Sequence, residues 1–191
     1  MAVLPIRQIG DPVLRKVCRQ VSIDELAGDE MQRFIDDLIE TMTHANGAGL
    51  AAPQVGYPLA IAAVQIKDNP RYPYKPNFPL TVFVNPTITH LSDTFESLNE
   101  GCLSVPNLRG MVDRCMHIRV QAMNREGEPI DFEVRGLTAG TFQHEFDHLL
   151  GNLFVDRVSD PRTLCTWENF EAHHRETFVA KARELVARYG Q

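Results

Sequence analysis

The stretch Gln143-His144-Glu145-Phe146-Asp147-His148 places two histidines four residues apart, with a glutamate directly after the first. Residues at this spacing lie on one face of an α-helix, so both imidazoles could reach one divalent metal ion about 2 Å from each ring. Glu145 lies about 100° further round the helix, where it could accept a proton from a water on the metal. The stretch therefore predicts half of a catalytic metal site on a helix.

The residues around this stretch predict how the helix packs. Apolar residues follow helical spacing on a face away from both histidines, which predicts that this face is buried. They are Phe142, Phe146, Leu149 and Leu150. Gly151-Asn152 is typical of a helix end. We therefore expect a helix with one buried side and an opposite side that carries the metal-binding residues.

The third protein ligand is open at this point. Phe154 occupies the position of the third histidine in the longer motif of one class of zinc peptidases, so that motif fails. Glu168 or Glu171 could serve, and so could Cys102 in Glu100–Ser104, where a glycine and a small polar residue predict a turn with an exposed thiol. A thiolate there would leave one coordination position for water.

Composition favours a single globular domain over residues 1–191. The chain has 43% hydrophobic residues and a formal net charge of −6, and it has no basic cluster and no apolar run long enough to span a membrane. Four cysteines form no CxxC pair, which favours a reducing, cytoplasmic setting. We expect neither a nucleic-acid site nor a membrane segment.

Periodicity predicts an α+β fold, with antiparallel or mixed strands around the central histidine helix, a long N-terminal helix and a C-terminal helix. The N-terminal helix follows the Ser22 capping box and runs to about Thr43, and the C-terminal helix begins at Asp160-Pro161 within 160–191. Strands are expected at 59–66, 80–85, 87–91, 115–124 and 130–135, with Pro86 interrupting a ladder and a hairpin at Glu126-Gly127. The proline-rich loop 67–79 is expected to be a surface insertion that packs down on the fold, with contact of Tyr72 and Tyr74 to a ligand as the alternative.

Small residues at Gly47–Gln54 would let another backbone approach closely, and a peptide could lie there. The side-chain amide of Gln54 could donate a hydrogen bond to an oxyanion. An ordinary glycine-rich turn is the alternative interpretation.

Three stretches together resemble, in order and spacing, the three motifs of the peptide deformylases. They are Gly47-Ala48-Gly49-Leu50-Ala51-Ala52-Pro53-Gln54, Glu100-Gly101-Cys102-Leu103-Ser104 and Gln143-His144-Glu145-Phe146-Asp147-His148-Leu149. The likeness extends from about Val3 through Arg157. It implies removal of the formyl group from the N-terminal formylmethionine of nascent polypeptides, with Fe(II) as the native metal ion and zinc or nickel as substitutes.

The resemblance also implies a role for each matching residue. Cys102, His144 and His148 match the metal ligands, and Glu145 matches the acid/base residue. The oxyanion donors match Gln54 and the backbone N–H of Leu103.

Four further positions match the substrate side of the family's site. They are Ala48, Gly49, Arg109 and Gly140, although Arg109 could equally be a surface charge. Bulky aliphatic residues are common at position 140 in similar deformylases, so glycine there predicts a roomier methionine pocket, with close helix packing as the alternative.

The expected partners are formylmethionyl nascent peptides, encountered at the ribosome. The apolar stripe of the C-terminal helix could pack within the chain or against a second copy in a homodimer. Two other functions stay open: a zinc peptidase with Glu168 or Glu171 as third ligand, and a metal or formyl-peptide binding protein without turnover.

Overall fold

The computed structural model of the protein describes residues 2–67 and 75–190. The α-helices are α1 (Ile23–Leu26), α2 (Asp29–His44), α3 (Gly136–Leu149), α4 (Phe154–Arg157), α5 (Trp167–His173) and α6 (Arg175–Tyr189). The strands are β1 (Gly49–Ala51), β2 (Ile61–Ile66), β3 (Phe78–His90), β4 (Phe95–Cys102), β5 (Val105–Cys115), β6 (His117–Met123) and β7 (Pro129–Arg135). Tyr72, Tyr74 and most of the proline-rich loop lie outside the described residues.

A five-stranded antiparallel sheet in the order β1-β2-β3-β6-β7 lies between α2 and α3. Successive side chains of a strand point to opposite faces, and β2 shows this directly. Ile61 and Ala63 pack in the cluster with α2, whereas Ala62 and Val64 pack in the cluster with α3. This explains why the strand reads as a continuous apolar run.

The second sheet is the β4–β5 hairpin, which meets the histidine-bearing side of α3. On the other side of α3, the predicted stripe of Phe142, Phe146 and Leu149 is buried against the five-stranded sheet, as expected. Leu150 is an exception because α3 has ended, and it is 59% exposed. The predicted α+β class, with strands on both sides of the histidine helix, is confirmed.

Two predictions about the first half of the chain were only partly right. Ser22 caps the short α1, and its side chain accepts from the Glu25 N–H, while α2 begins separately at Asp29. Pro86 does not end a strand, because β3 runs through it. The pairing of β3 with β6 shifts register between Val84 and Thr87, so the missing proline N–H falls at an irregularity of the ladder.

The expectation of one C-terminal helix over 160–191 was also wrong. Pro161–Thr163 forms only a 3-10 turn, and Cys165 then exchanges two backbone hydrogen bonds with Arg109 of β5, which holds the chain extended. The Thr166 side chain caps α5, which ends at His173. The next residue, His174, has φ of −123° and ψ of −21°, which departs from helical geometry before α6 begins. No described helix is long and apolar enough to cross a bilayer.

Candidate metal and catalytic site

Cys102, His144 and His148 come together where the end of β4 meets α3. Their ligand atoms all lie within 4.8 Å of one another, and Cys102 Sγ lies 3.3 Å from His148 Nε2. Ligands held at about 2.0–2.3 Å around a tetrahedral ion are separated by roughly 3.3–3.8 Å, so this spacing fits one metal ion. Glu168 and Glu171, the alternative third ligands, are exposed on α5 and are not part of the cluster.

Cys102 is the last residue of β4 and is not in an exposed turn as the sequence suggested. The β4–β5 register shifts between Gly101 and Cys102, and the hairpin closes immediately after them. This irregularity re-aims the side chain at the end of the strand, as is usual for bulges beside functional sites.

The two imidazoles have opposite electrostatic surroundings. Burial, followed by repulsion from His144, lowers the pKa of His148, which keeps its ring in the neutral form that binds metals. Burial also opposes a charge on His144, but Cys102 and Glu100 outweigh it and raise the pKa of His144 well above its ordinary value. Cys102 and Glu100, the negative partners that raise the pKa of His144, would equally stabilise a cation bound in place of its proton.

A buried network that the sequence did not reveal holds the outer side of His144. Glu100 Oε2 lies 2.8 Å from His144 Nδ1, and the same carboxylate accepts from Arg114 Nε at 2.7 Å. Arg114 Nη1 also donates to Asp147 at 2.6 Å, and Asp147 accepts from Arg157 at 2.7 Å. A carboxylate on the far nitrogen of a ligand imidazole fixes the ring's orientation and raises its basicity.

Glu100 is ionised in this network. Burial alone would raise its pKa, but Arg114 and His144 outweigh burial and lower it to about 2. Glu100 stands two residues before Cys102 on β4, but the sequence predicted a turn there and gave no signal for this contact.

Glu145 is 6% exposed and lies against the backbone of Gly49. A Cβ added at Gly49 would meet the Glu145 carboxyl carbon at 2.5 Å, so a larger residue at position 49 would push this side chain out of its place. Burial raises the pKa of Glu145 to about 7, with His144 and Lys75 opposing the shift. A carboxylate with a pKa near neutrality can both accept and return a proton.

The orientation of the Gln54 amide is fixed from both ends. Its Oε1 accepts from the Ala51 N–H at 2.8 Å, and its Nε2 donates to Ser104 Oγ at 3.1 Å and lies 3.5 Å from Cys102 Sγ. The amide N–H groups therefore face the cysteine, and Leu103 lines the same pocket.

Arg109 is not a surface charge, since it is only 1% exposed. Its guanidinium lies 4.3 Å from the ring centroids of both Trp167 and Phe170, and it donates to the side chain and backbone of Asn99. The buried Nη1 has no hydrogen-bond partner among the described residues, and the side chain lines the pocket.

The remaining pocket positions lie along the face of α3 that carries His144. Gly140 lines the pocket, and a Cβ added there would lie 2.5 Å from Leu98 Cδ1, so the close-packing alternative also holds. Leu98 already fills the space directly over the glycine. The effect of Gly140 on substrate specificity stays a prediction.

Lys75, which the sequence did not single out, donates to Thr141 at the pocket wall at 2.8 Å.

The family model described as polypeptide deformylase matches residues 3–163. Peptide deformylase 1 of Bordetella pertussis is 44% identical over 155 residues, which cover 81% of this chain and 87% of that protein. The peptide deformylase of Leptospira biflexa is 42% identical over 163 residues, which cover 85% and 91%.

Solved structures agree with the sequence matches. The class I type b peptide deformylase of Acinetobacter baumannii with Met-Ala-Ser bound has a TM-score of 0.79 at 38% identity, covering 82% of this chain and 99% of that one. The Synechococcus elongatus enzyme in complex with actinonin has a TM-score of 0.73 at 31% identity, covering 98% and 86%. The chain therefore belongs to the peptide deformylase family, metal-dependent hydrolases that remove the N-formyl group from nascent peptides.

Proposed function

We propose that residues 1–191 form one catalytic domain in which Cys102, His144 and His148 hold a single divalent ion and Glu145 moves the protons of deformylation. One observation carries this assignment. A thiol and two imidazoles converge within 4.8 Å, and a buried carboxylate with a pKa of about 7 follows the first imidazole in the chain. That donor set with a proton acceptor is what hydrolysis of a formamide requires.

When bound, the ion would polarise the formyl oxygen and lower the pKa of a water toward neutrality. Glu145 takes a proton from this water as its oxygen attacks the formyl carbon. Gln54 Nε2 and the Leu103 N–H donate to the oxygen that becomes negatively charged. Protonated Glu145 then delivers its proton to the departing amine, and formate and a free N-terminus are released. No covalent bond forms between enzyme and substrate.

The peptide would lie along the free edge of β1. Among the described residues this strand pairs with β2 alone, and the Ala48 carbonyl already accepts from the Gln65 N–H at 3.0 Å. The backbone groups of Gly49 therefore face the free edge, where an extended chain would pair, and Ala48 lines the pocket beside it. Arg109 Nη1 supplies a donor at the pocket, and Gly140 forms part of its wall. The Met-Ala-Ser peptide in the Acinetobacter structure supports a substrate that begins with formylmethionine.

Fe(II) is the proposed native ion, and zinc or nickel are proposed substitutes, since imidazole and thiolate ligands suit all three. Formylmethionyl chains are available where they emerge from the ribosome, so we place the enzyme in the cytoplasm. The apolar residues Phe170, Ala182 and Leu185 pack within the chain, and a homodimer stays an untested prediction.

The test is formate release from formyl-Met-Ala by the protein loaded anaerobically with Fe(II). We expect turnover that decays in air as the iron site and the Cys102 thiolate oxidise, whereas the zinc and nickel forms should survive. Equal decay of all three forms would refute iron oxidation as the cause. Cleavage of internal peptide bonds without formate release would favour the peptidase, and metal retention without turnover would favour the binding protein.

A further inference from the structure

The segment after Thr163 lies beyond the part of the chain that matches the family model, yet it is docked against the pocket. Ala182 and Leu185 of α6 are 0% and 2% exposed and pack in one cluster with Leu98 and Leu137. Leu98 and Leu137 also line the pocket. The helix therefore rests directly on the pocket wall.

Ion pairs fix the position of α6 along β4. Glu96 of β4 pairs with Lys181 at 3.2 Å and with Arg188 at 3.4 Å, and these two cations lie about two turns apart on α6. Screening weakens such partly exposed pairs, so they contribute orientation more than stability. Together with the buried Ala182 and Leu185, they set which side chain of α6 faces the pocket.

That side chain is Phe178, which lines the pocket together with Leu98, Leu137 and Gly140. Its ring packs edge to face on Phe170 of α5, with centroids 5.9 Å apart and an interplanar angle of 65°. Phe170 is itself buried against the Arg109 guanidinium. The ring is thus supported from behind.

The direction of the substrate's first side chain follows from the helix. The formyl carbon must react beside His144 and Glu145, and Gly140 and Leu137 lie one and two turns before His144 on the same face, at roughly 6 and 10 Å along the axis. An extended methionine side chain reaches roughly 5 Å from its Cα. An alanine side chain ends near its Cα and stays short of this apolar region.

We propose that Phe178 is a specificity-determining residue that closes the far end of the pocket for the first side chain of the substrate. This rests on the proposed function. The ring limits the depth of this pocket, so α6 belongs to the substrate site.

The experiment compares kcat/KM for formyl-Ala, formyl-Met and formyl-Phe peptides in the wild type and in Phe178→Ala. We expect the formyl-Phe to formyl-Met ratio to rise about tenfold or more, the scale of removing apolar contacts in a pocket. The formyl-Ala value should change by less than about twofold, because that side chain is too short to meet the ring. Phe178→Leu should give an intermediate ratio, and it serves as the variant if Phe178→Ala does not fold.

Val186→Ala is the matched control, since Val186 packs in the same cluster of α6 but does not line the pocket. We expect its ratio to match the wild type. An unchanged ratio in a folded Phe178 variant would overturn the proposal, as would an equal change in Val186→Ala or a parallel loss for all three peptides. Absence of formate release by the wild type would instead overturn the proposed function, and this inference with it.

Discussion

The two ends of the pocket are built from different kinds of sequence. At the metal end, each proposed chemical group comes from one of three short motifs and has its type dictated by chemistry. At the far end, Leu98, Gly140 and Phe178 come from β4, α3 and α6, and they share only a lining position. A thiolate ligand has few replacements, whereas volume can be supplied by any apolar side chain from any segment. Sequence motifs therefore indicate which reaction is catalysed, whereas the three-dimensional structure is needed to see the shape of the substrate pocket.

Changing the base should have the largest effect. We expect Glu145→Gln to lower kcat by about 10²- to 10⁴-fold, because the proton acceptor is lost while the three ligands remain. The factor should be the same for formyl-Ala, formyl-Met and formyl-Phe peptides, with unchanged metal content. Glu168→Gln, on the exposed face of α5, is the control. A loss that depended on the first residue would break the contrast between the two ends.

Removing the thiolate should weaken metal binding strongly. We expect Cys102→Ala to lose about 100-fold or more in metal affinity, since even the loss of a partner that orients a ligand costs 10- to 100-fold. Competition with a chelator, followed by metal analysis, measures this. Cys165→Ala, outside the cluster, should retain the metal. Unchanged metal affinity in Cys102→Ala would favour Glu168 or Glu171 as the third ligand.

Loss of the charge behind His144 should have a smaller effect. Glu100→Gln removes the carboxylate that holds His144 Nδ1 and leaves Arg114 paired with Asp147 alone. We expect a decrease of about 10- to 100-fold in metal affinity or in kcat/KM. Glu133→Gln, which alters the exposed pair with His117, is the control. Wild-type values in Glu100→Gln would mean that the ligand ring needs no support.

The smallest effect should come from a change in α5. Trp167→Ala removes one of the two rings that flank Arg109, and we expect a loss of about 1–2 kcal/mol in the free energy of unfolding. That corresponds to a decrease of roughly 2–8 °C in Tm. The kcat for formyl-Met-Ala should stay within about threefold of the wild type. A decrease in kcat as large as the effect expected for Glu100→Gln would mean that α5 contributes to the reaction itself.

The sequence predicted those parts of the fold that depend on local pattern. The histidine helix and the long N-terminal helix α2 follow from periodicity, and the hairpin at Glu126-Gly127 follows from its turn residues. The ladder is irregular at Pro86 as predicted, but β3 continues through it, and His174 interrupts a stripe whose spacing looked continuous. These outcomes depend on pairing between distant segments, which a single sequence does not display.

The candidate site divides in the same way. The convergence of Cys102, His144 and His148 follows from motif spacing and resemblance, and the structure brings them within one cluster. The support of His144 by Glu100, and the burial of Arg109 between two aromatic rings, required three-dimensional contacts between β4, β5 and α5.

The contact between Gly49 and Glu145 has a consequence for how variants of this protein should be ranked. By residue chemistry, Gly49→Ala is among the mildest of substitutions, since it adds one methyl group and no charge. By geometry, that methyl group meets the carboxyl carbon of the base at 2.5 Å and must displace it. A displacement of about 1 Å of a reacting group can cost about 100-fold in rate. A scale of amino-acid similarity would call this change conservative, yet we expect Gly49→Ala to lower kcat because the added methyl group displaces the proposed base.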